Sequence, residues 1–211
     1  MDSLEPQSEI KSSASTTTWT SFFELIKTVS FVLVVAFLIR HYLVQPFVVD
    51  GASMEPNFHH QEYILVDKLG YRLHTPSRGD VIVFHPPVSQ DNFIKRIIGL
   101  PGETVTVKGH QIFVDGTLVE ENYLPDRGQP DTPPTDYTVG SDEYFVMGDN
   151  RDHSKDSRVL GPIPAERIIG RAWLVLFPVK NLTVVATPTY PGLETSASTE
   201  ALVRTAITQP F

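Results

Sequence analysis

The sequence predicts a mainly β fold, an antiparallel and barrel-like sheet domain carried behind one N-terminal transmembrane helix. Three observations predict it. A single apolar segment lies near the N-terminus, and its uncharged run extends from Thr28 to Ile39. From Phe47 onward the apolar residues come in short β-branched and aromatic runs, with Gly or Pro in nearly every gap. No long amphipathic helix pattern follows residue 45. A chain of 211 residues suits one domain of ordinary size plus appendages.

Taken in order, residues 1–20 are rich in Ser and Thr and poor in large apolar side chains, which predicts a flexible tail. Residues 21–44 are the anchor. The uncharged run alone is too short to span a bilayer, and it also fits a signal-peptide core or a buried helix. Three features favour a span. Lys27 and Arg40 can extend their charged ends toward the interfaces. Trp19 and Tyr42 bracket the segment like interfacial anchors. At 1.5 Å per residue they stand roughly 35 Å apart, close to a bilayer core with its boundary. No small-x-small site follows the run, where the chain instead reads His41-Tyr42-Leu43-Val44-Gln45-Pro46. Glu24 and Lys27, inside the apolar stretch, are what keep the buried-helix alternative open. Charge does not set the orientation: Lys11 and Lys27 are offset by Asp2, Glu5, Glu9 and Glu24.

Residues 45–182 form the β domain. Its strands are predicted at residues 63–66, 80–84, 93–98, 104–107, 111–114, 143–147 and 173–177. Lys108-Gly109-His110 and Asp115-Gly116 read as hairpin turns. Tyr123 to Tyr137 holds four prolines and reads as an extended surface loop. Residues 183–211 are rich in Thr, Ser and Pro and are predicted to form a disordered tail.

Composition excludes several classes of function. The net charge of -8, with no basic block, argues against nucleic-acid binding. The chain has no cysteine, so disulfides, a thiol nucleophile and cysteine-ligated zinc are excluded together. The seven histidines show no HExxH spacing, and His59-His60 reads as a solvated loop pair. Nothing in the chain specifies a metal or an organic cofactor.

The chemistry centres on a serine and a lysine. Asp50-Gly51-Ala52-Ser53-Met54 puts small residues before Ser53, which lets the chain turn and a substrate backbone approach. By itself this is the pattern of an ordinary turn serine. In Phe93-Ile94-Lys95-Arg96-Ile97-Ile98, strand alternation sets Phe93, Lys95 and Ile97 on one face and Ile94, Arg96 and Ile98 on the other. Lys95 then lies between two large apolar neighbours. Burial disfavours its ammonium and lowers its pKa, as a general base requires. Arginine does not serve this purpose, because it stays protonated. The competing reading of Lys95 is an exposed edge-strand lysine that deters aggregation.

Four motifs stand in order over roughly residues 20–180. They are Gly51-Ala52-Ser53-Met54-Glu55-Pro56, Arg78-Gly79-Asp80-Val81-Ile82-Val83-Phe84, Lys95-Arg96-Ile97-Ile98-Gly99-Leu100-Pro101-Gly102, and the stretch from Gly148 to Arg158. On these the chain resembles type I signal peptidases, the membrane-anchored Ser/Lys endopeptidases. The resemblance implies Ser53 as nucleophile, Lys95 as general base and an acyl-enzyme on Ser53. It implies the Ser53 N–H as one oxyanion donor. Some members carry a serine where this chain has Gly51, and its hydroxyl is their second donor, so Gly51 leaves that donor unassigned. Ser154 matches a serine that hydrogen-bonds the lysine nitrogen. Asp156 and Arg158 match an ion pair that braces the site, and a surface pair is the alternative for them. Gly148 is expected to supply a positive φ. His153, beside Ser154 in a turn, reads as solvated.

The resemblance also implies substrates and a location. Substrates would be preproteins cut after small-x-small sites, selected by shallow apolar pockets. Residues flanking Ser53, Tyr63 to Val66 and Phe84 are the candidates for those pockets. The chain would be a monomeric, single-pass protein of the cell membrane or of a thylakoid-type internal membrane, with its catalytic domain on the extracytoplasmic side and no nucleic-acid partner. Ser53 follows Arg40 by 13 residues, at most roughly 45 Å of chain, so the serine stays near the bilayer. Phe47, Val48, Val49, Met54 and Phe58 either dip into the interface or belong to the core. Two rival readings remain. A Ser/Lys self-cleaving repressor would need a DNA-binding domain where this chain has its tail and apolar segment. A tethered β module binding partners through its Pro-rich loop would leave Lys95 charged and exposed.

Overall fold

The computed structural model describes residues 14–38, 43–125 and 132–193. The chain divides into two compact units, Met1–Leu43 and Val44–Phe211.

Among the described residues of the first unit, 14–38 form one helix, α1 (Ala14–Leu38). Its stretch Ser21–Leu38 has a mean hydropathy of 2.0 and none of it is buried inside the protein. Eighteen residues rise roughly 27 Å, near the thickness of a hydrocarbon core. Phe22, Leu25, Val29, Phe31, Leu33 and Phe37 are all exposed, so the helix presents apolar side chains all round, as a membrane span does. The chain is helical from Ala14, inside the segment expected as a tail. Residues 1–13, Arg40, Tyr42 and the Trp19 side chain lie outside the described residues.

The second unit is β. Its strands are β1 (Val44–Val48), β2 (Tyr63–Asp67), β3 (Val81–Phe84), β4 (Phe93–Gly99), β5 (Thr104–Lys108), β6 (Gln111–Val114), β7 (Thr117–Leu118), β8 (Thr135–Thr138), β9 (Glu143–Met147), β10 (Ile163–Pro164), β11 (Ile168–Phe177) and β12 (Thr183–Val184). They make an eight-stranded sheet, ordered β1-β2-β11-β3-β4-β9-β10 with β12 added to β11, and a four-stranded sheet ordered β7-β6-β5-β8. The pairings are antiparallel throughout. The order of the large sheet starts at β1 and stops at β10, so it is an open, curled sheet rather than a closed barrel. The two short helices that follow residue 45, α2 (Gly70–Leu73) and α3 (Ser157–Leu160), have four residues each.

The pattern of the central strands explains their place. Val81-Ile82-Val83-Phe84 is apolar without interruption, and every residue of it is buried, the mark of a strand covered on both faces. Val81 and Val83 enter one core with Met54, Phe58, Ile64, Val66 and Ile94. Ile82 and Phe84 enter another with Ile97, Tyr144, Val146 and Ile163. A third core joins the two sheets through Ile98, Val105, Ile112, Phe145 and Met147. Each fully buried side chain of this size contributes about 1.5–3 kcal/mol. The β6–β7 turn is the expected Asp115-Gly116 hairpin, both residues at positive φ between the paired Val114 and Thr117.

Several boundaries differ from those the sequence predicts. The tail expected from residue 183 begins instead with β12, which pairs with Leu174 and Val175. Val185 and Tyr190 are then buried in two separate cores, and Thr187 Oγ1 donates to Asp80. Two buried side chains and one hydrogen bond outweigh the local Thr/Pro composition. Residues 194–211 lie outside the described residues. The Pro-rich loop contributes β8, which pairs along β5, because backbone pairing tolerates any side chain on an edge. Val49, Met54 and Phe58 are core, Phe47 packs against it, and only Val48 of the five candidates for interface contact stays half exposed.

Candidate active site

Ser53 stands on a loop whose neck is closed by two backbone hydrogen bonds. Val49 N–H donates to Glu62 O and Gln61 N–H to Val49 O, each at 2.8 Å. Inside the loop Glu55 N–H donates to Ala52 O, and the Asn57 and Phe58 N–H groups donate to Met54 O. Met54 and Phe58 sit in the core and fix the loop to the sheet. Gly51 has φ +89, a conformation that costs glycine little. Its N–H donates to His60 Nδ1 at 3.1 Å. The Ser53 N–H takes no part in the backbone hydrogen-bond network of the described residues.

A second loop holds Ser53 from the far side. Asn150 N–H donates to Ser53 O at 3.1 Å and Asn150 Nδ2 to Ala52 O at 3.1 Å. Gly148 makes this approach feasible. A Cβ there would lie 2.5 Å from Ser53 O and 2.2 Å from Ser154 Oγ, closer than any side chain tolerates. Gly148 is therefore required for close packing, not for the positive φ expected of it.

Lys95 lies in the middle of β4. Its Nζ is 2.8 Å from Ser53 Oγ and donates to the Ile94 carbonyl at 2.7 Å. The Phe93 ring centroid is 5.3 Å away. The residue is only 4% exposed, so the edge-strand reading fails. Burial lowers its pKa from 10.5 to about 8, against the opposing pull of Asp156 and Asp149. Strand alternation held: Phe93 and Ile97 flank the lysine in one core, and Arg96 turns to the other side. There Arg96 forms a two-pronged pair with Asp149 at 2.7 and 2.9 Å, donates to Gly79 O, and lies 4.3 Å from the Tyr123 ring centroid.

The turn from Gly148 to Arg158 supports both loops. Asp156 is fully buried. It accepts from the Gly148 N–H at 2.9 Å and from Arg158 through two guanidinium contacts of 2.8 Å. It also caps α3. Burial alone would raise its pKa, but Arg158 and the Gly148 amide outweigh that and hold it below the usual value. The expected Asp156–Arg158 contact is thus present, and it is anchored rather than superficial.

Ser154 departs from the expectation. The Lys95 nitrogen is held by Ser53 and the Ile94 carbonyl, while the buried Ser154 hydroxyl faces Asp156 instead and helps to hold that carboxyl below its usual value. Ser154 packs against Gly148, close to the Ser53 carbonyl. His153 is exposed and reaches Asn150 Oδ1 at 3.3 Å, as its solvated reading predicts. Of the candidate pocket residues, Ile64, Val66 and Phe84 are fully buried in the core. Sequence reasoning missed Asn150, Asp149 and His60. Asn150 and Asp149 stand inside the last motif, and a buried Arg96 demands an acid. Nothing in the local pattern marks His60.

In chemical terms, a hydroxyl lies in hydrogen-bond contact with a buried amine that is partly neutral near pH 8. That is the arrangement of a nucleophile with its base.

A family model described as signal peptidase, peptidase S26 matches residues 22–177. The chain is 38% identical over 173 residues to a signal peptidase I of Leptolyngbya laminosa, covering 78% of this chain and 84% of that protein. It is 36% identical over 181 residues to a probable signal peptidase I-2 of Synechocystis, covering 83% and 81%. A signal peptidase I of Bacillus licheniformis is 36% identical over 177 residues, covering 80% and 95%. A solved signal peptidase I of Enterococcus faecalis aligns at TM-score 0.42 and 32% identity, over 46% of this chain and 97% of that one.

Proposed function

The chain belongs to the signal peptidase family of S26 peptidases, and from that premise we propose that Ser53 and Lys95 are its catalytic pair. It is a serine peptidase hydrolase that acts on signal peptides. In our reading it is a monomeric, membrane-bound endopeptidase. It cuts exported preproteins after small-x-small sites and passes through an acyl-enzyme. The observation that carries this reading is the 2.8 Å contact between Lys95 Nζ and Ser53 Oγ, with the amine's pKa lowered to about 8 by burial.

With that pKa, about one lysine in ten is neutral at pH 7, against about one in three thousand for an ordinary lysine. The Ile94 carbonyl takes one N–H of the neutral amine, which leaves its lone pair for the serine proton. As Ser53 Oγ attacks the scissile carbonyl, Lys95 accepts that proton. The Ser53 N–H, unused by the backbone network, faces the developing oxyanion. The ammonium formed on Lys95 is stabilised by Asp156 and Asp149, which favour its charged form. It then protonates the leaving amine, which departs as the new N-terminus and leaves the acyl-enzyme. The neutral lysine next takes a proton from water, whose oxygen displaces Ser53. Asp156 and Arg158 brace the turn that holds Gly148 against Ser53. Ser154 packs the same corner.

Contact with the lipid bilayer is the second part of the reading. α1 has the length and apolarity of a single span. In the β unit, Val48, Tyr63 and Phe177 are register partners across β1, β2 and β11, and each is about half exposed. Tyr63 and Phe177 pack edge to face at 5.9 Å. This apolar row supports a domain that rests on the membrane; in our reading the active site lies on the extracytoplasmic side, where exported preproteins emerge.

The test is cleavage of a preprotein with an A-x-A site by the full-length chain in detergent. Ser53→Ala and Lys95→Ala each lower kcat by at least about a thousandfold while thermal unfolding stays in place. Substantial turnover in either variant would refute the assignment.

A further inference from the structure

We propose that His60 is a positioning residue for Ser53, acting through the Gly51 amide, and that protonation of its ring releases the turn that carries the nucleophile. The proposal rests on the reading of Ser53 as nucleophile.

The first observation is the hydrogen bond itself. Gly51 N–H donates to His60 Nδ1 at 3.1 Å. A ring nitrogen accepts only while it carries no proton, so this contact requires the neutral ring with its proton on Nε2. The second observation is where the contact falls. Val49, Gln61 and Glu62 close the neck of the loop through backbone bonds. His60 to Gly51 is the next rung inward, two residues before Ser53. Gln61, at φ +66, reverses the chain just after His60. On its other side Ser53 is held by Asn150. The serine is therefore gripped between a permanent amide donor and an acceptor that can titrate.

The third observation supplies the alternative state. Asp50 Oδ1 lies 3.3 Å from the same Nδ1. Once Nδ1 gains a proton it cannot accept from Gly51. It becomes a donor, and the Asp50 carboxylate is already within reach. The ring changes partner without a large movement. Asp50 is the charged group that faces the ring; the neighbouring His59 and Glu62 pair with each other at 3.6 Å. Gly51 has the backbone freedom to leave its left-handed conformation when the bond is lost, so the turn before Ser53 loosens.

The pH profile should therefore show two steps. As pH falls below about 8, kcat falls with unit slope because Lys95 becomes protonated. Where His60 also becomes protonated, the slope exceeds one over a short range and kcat drops about fivefold below the unit-slope line. The experiment compares full-length wild type, His60→Leu and His60→Asn in detergent on an A-x-A preprotein, from pH 5 to 9. Asn Oδ1 can accept from the Gly51 N–H but does not titrate. His60→Leu is expected to lower kcat about fivefold, the worth of one hydrogen bond, with KM within about twofold. His60→Asn is expected to restore most of that loss near neutral pH and to keep unit slope in acid.

A structural readout runs beside it. In the inactive Ser53→Ala background, the Gly51 amide proton shift should follow the titration of the His60 ring and become pH-independent in His60→Asn. The proposal is overturned if His60→Asn is as slow as His60→Leu, if the wild-type slope stays at one down to pH 5, or if the Gly51 amide ignores the ring. Turnover by Ser53→Ala would instead refute the catalytic reading, while the amide shift would still report on the hydrogen bond. Thermal unfolding of each variant separates a loosened turn from an unfolded domain.

Discussion

Lys95 and Arg96 are adjacent on β4, and both are almost completely buried, at 4% and 3% exposure. Their surroundings treat the two cations in opposite ways. On one face Lys95 meets a hydroxyl, a carbonyl and an aromatic ring, and its carboxylate neighbours act only at a distance. On the other face Arg96 is clamped by both oxygens of Asp149 and by the Gly79 carbonyl, with Tyr123 beneath it. Burial penalises both charges. Direct ion pairing offsets the penalty only for arginine. The difference shows that burial alone does not make a base; burial without a contacting carboxylate does.

The most severe way to break this contrast is to give the lysine face a cation that cannot lose its proton. Lys95→Arg is expected to lower kcat by at least about a thousandfold, like Lys95→Ala, because arginine stays protonated. Preprotein cleavage assays decide it, and appreciable activity in the arginine variant would show that the residue acts through charge alone. On the opposite face, Arg96→Met strands a buried carboxylate. It is expected to cost about 3–5 kcal/mol of stability, read by urea unfolding. A double change to Arg96→Met with Asp149→Leu is expected to recover much of that loss, since it removes both charges.

The remaining tests sharpen the electrostatics. For the wild type, kcat/KM is expected to rise about tenfold per pH unit below about 8 and then to level, as the neutral amine accumulates. Asp156 favours the ammonium of Lys95. Asp156→Asn should therefore lower the lysine pKa further and move the acid limb to lower pH, by up to about one unit. A shift to higher pH would contradict the assigned sign. The smallest effect is expected from Arg158→Lys, which keeps the charge but loses the two-pronged contact. It is expected to cost about 1 kcal/mol by thermal unfolding, since the arginine is partly exposed.

Much of the setting of Lys95, the base we propose, was legible because period-2 alternation is a local property. Phe93, Lys95 and Ile97 share a face in any strand, so the apolar setting of the lysine follows from five residues of sequence. The apolar run at residues 81–84 likewise marked a strand, and the structure buries it on both faces. Ser154 was less legible. Its motif placed it in the right turn, but whether its hydroxyl meets Lys95 depends on side-chain angles across two loops. The C-terminal segment was misread because its composition is that of a tail, while its order comes from Val185 and Tyr190 docking into cores built by distant strands.

The sequence by itself determined the β character of the domain, the single apolar helix, and the identity of the serine and lysine. Each of these rests on spacing along the chain or on side-chain chemistry that no fold alters. Only the tertiary structure decided that Ser53 and Lys95 meet, that Asn150 and His60 hydrogen-bond the turn carrying Ser53, and that Asp149 contacts Arg96 rather than Lys95. Those outcomes depend on contacts between residues far apart in the chain. Burial and counter-charge, which set a lysine's proton affinity, exist only once such contacts have formed.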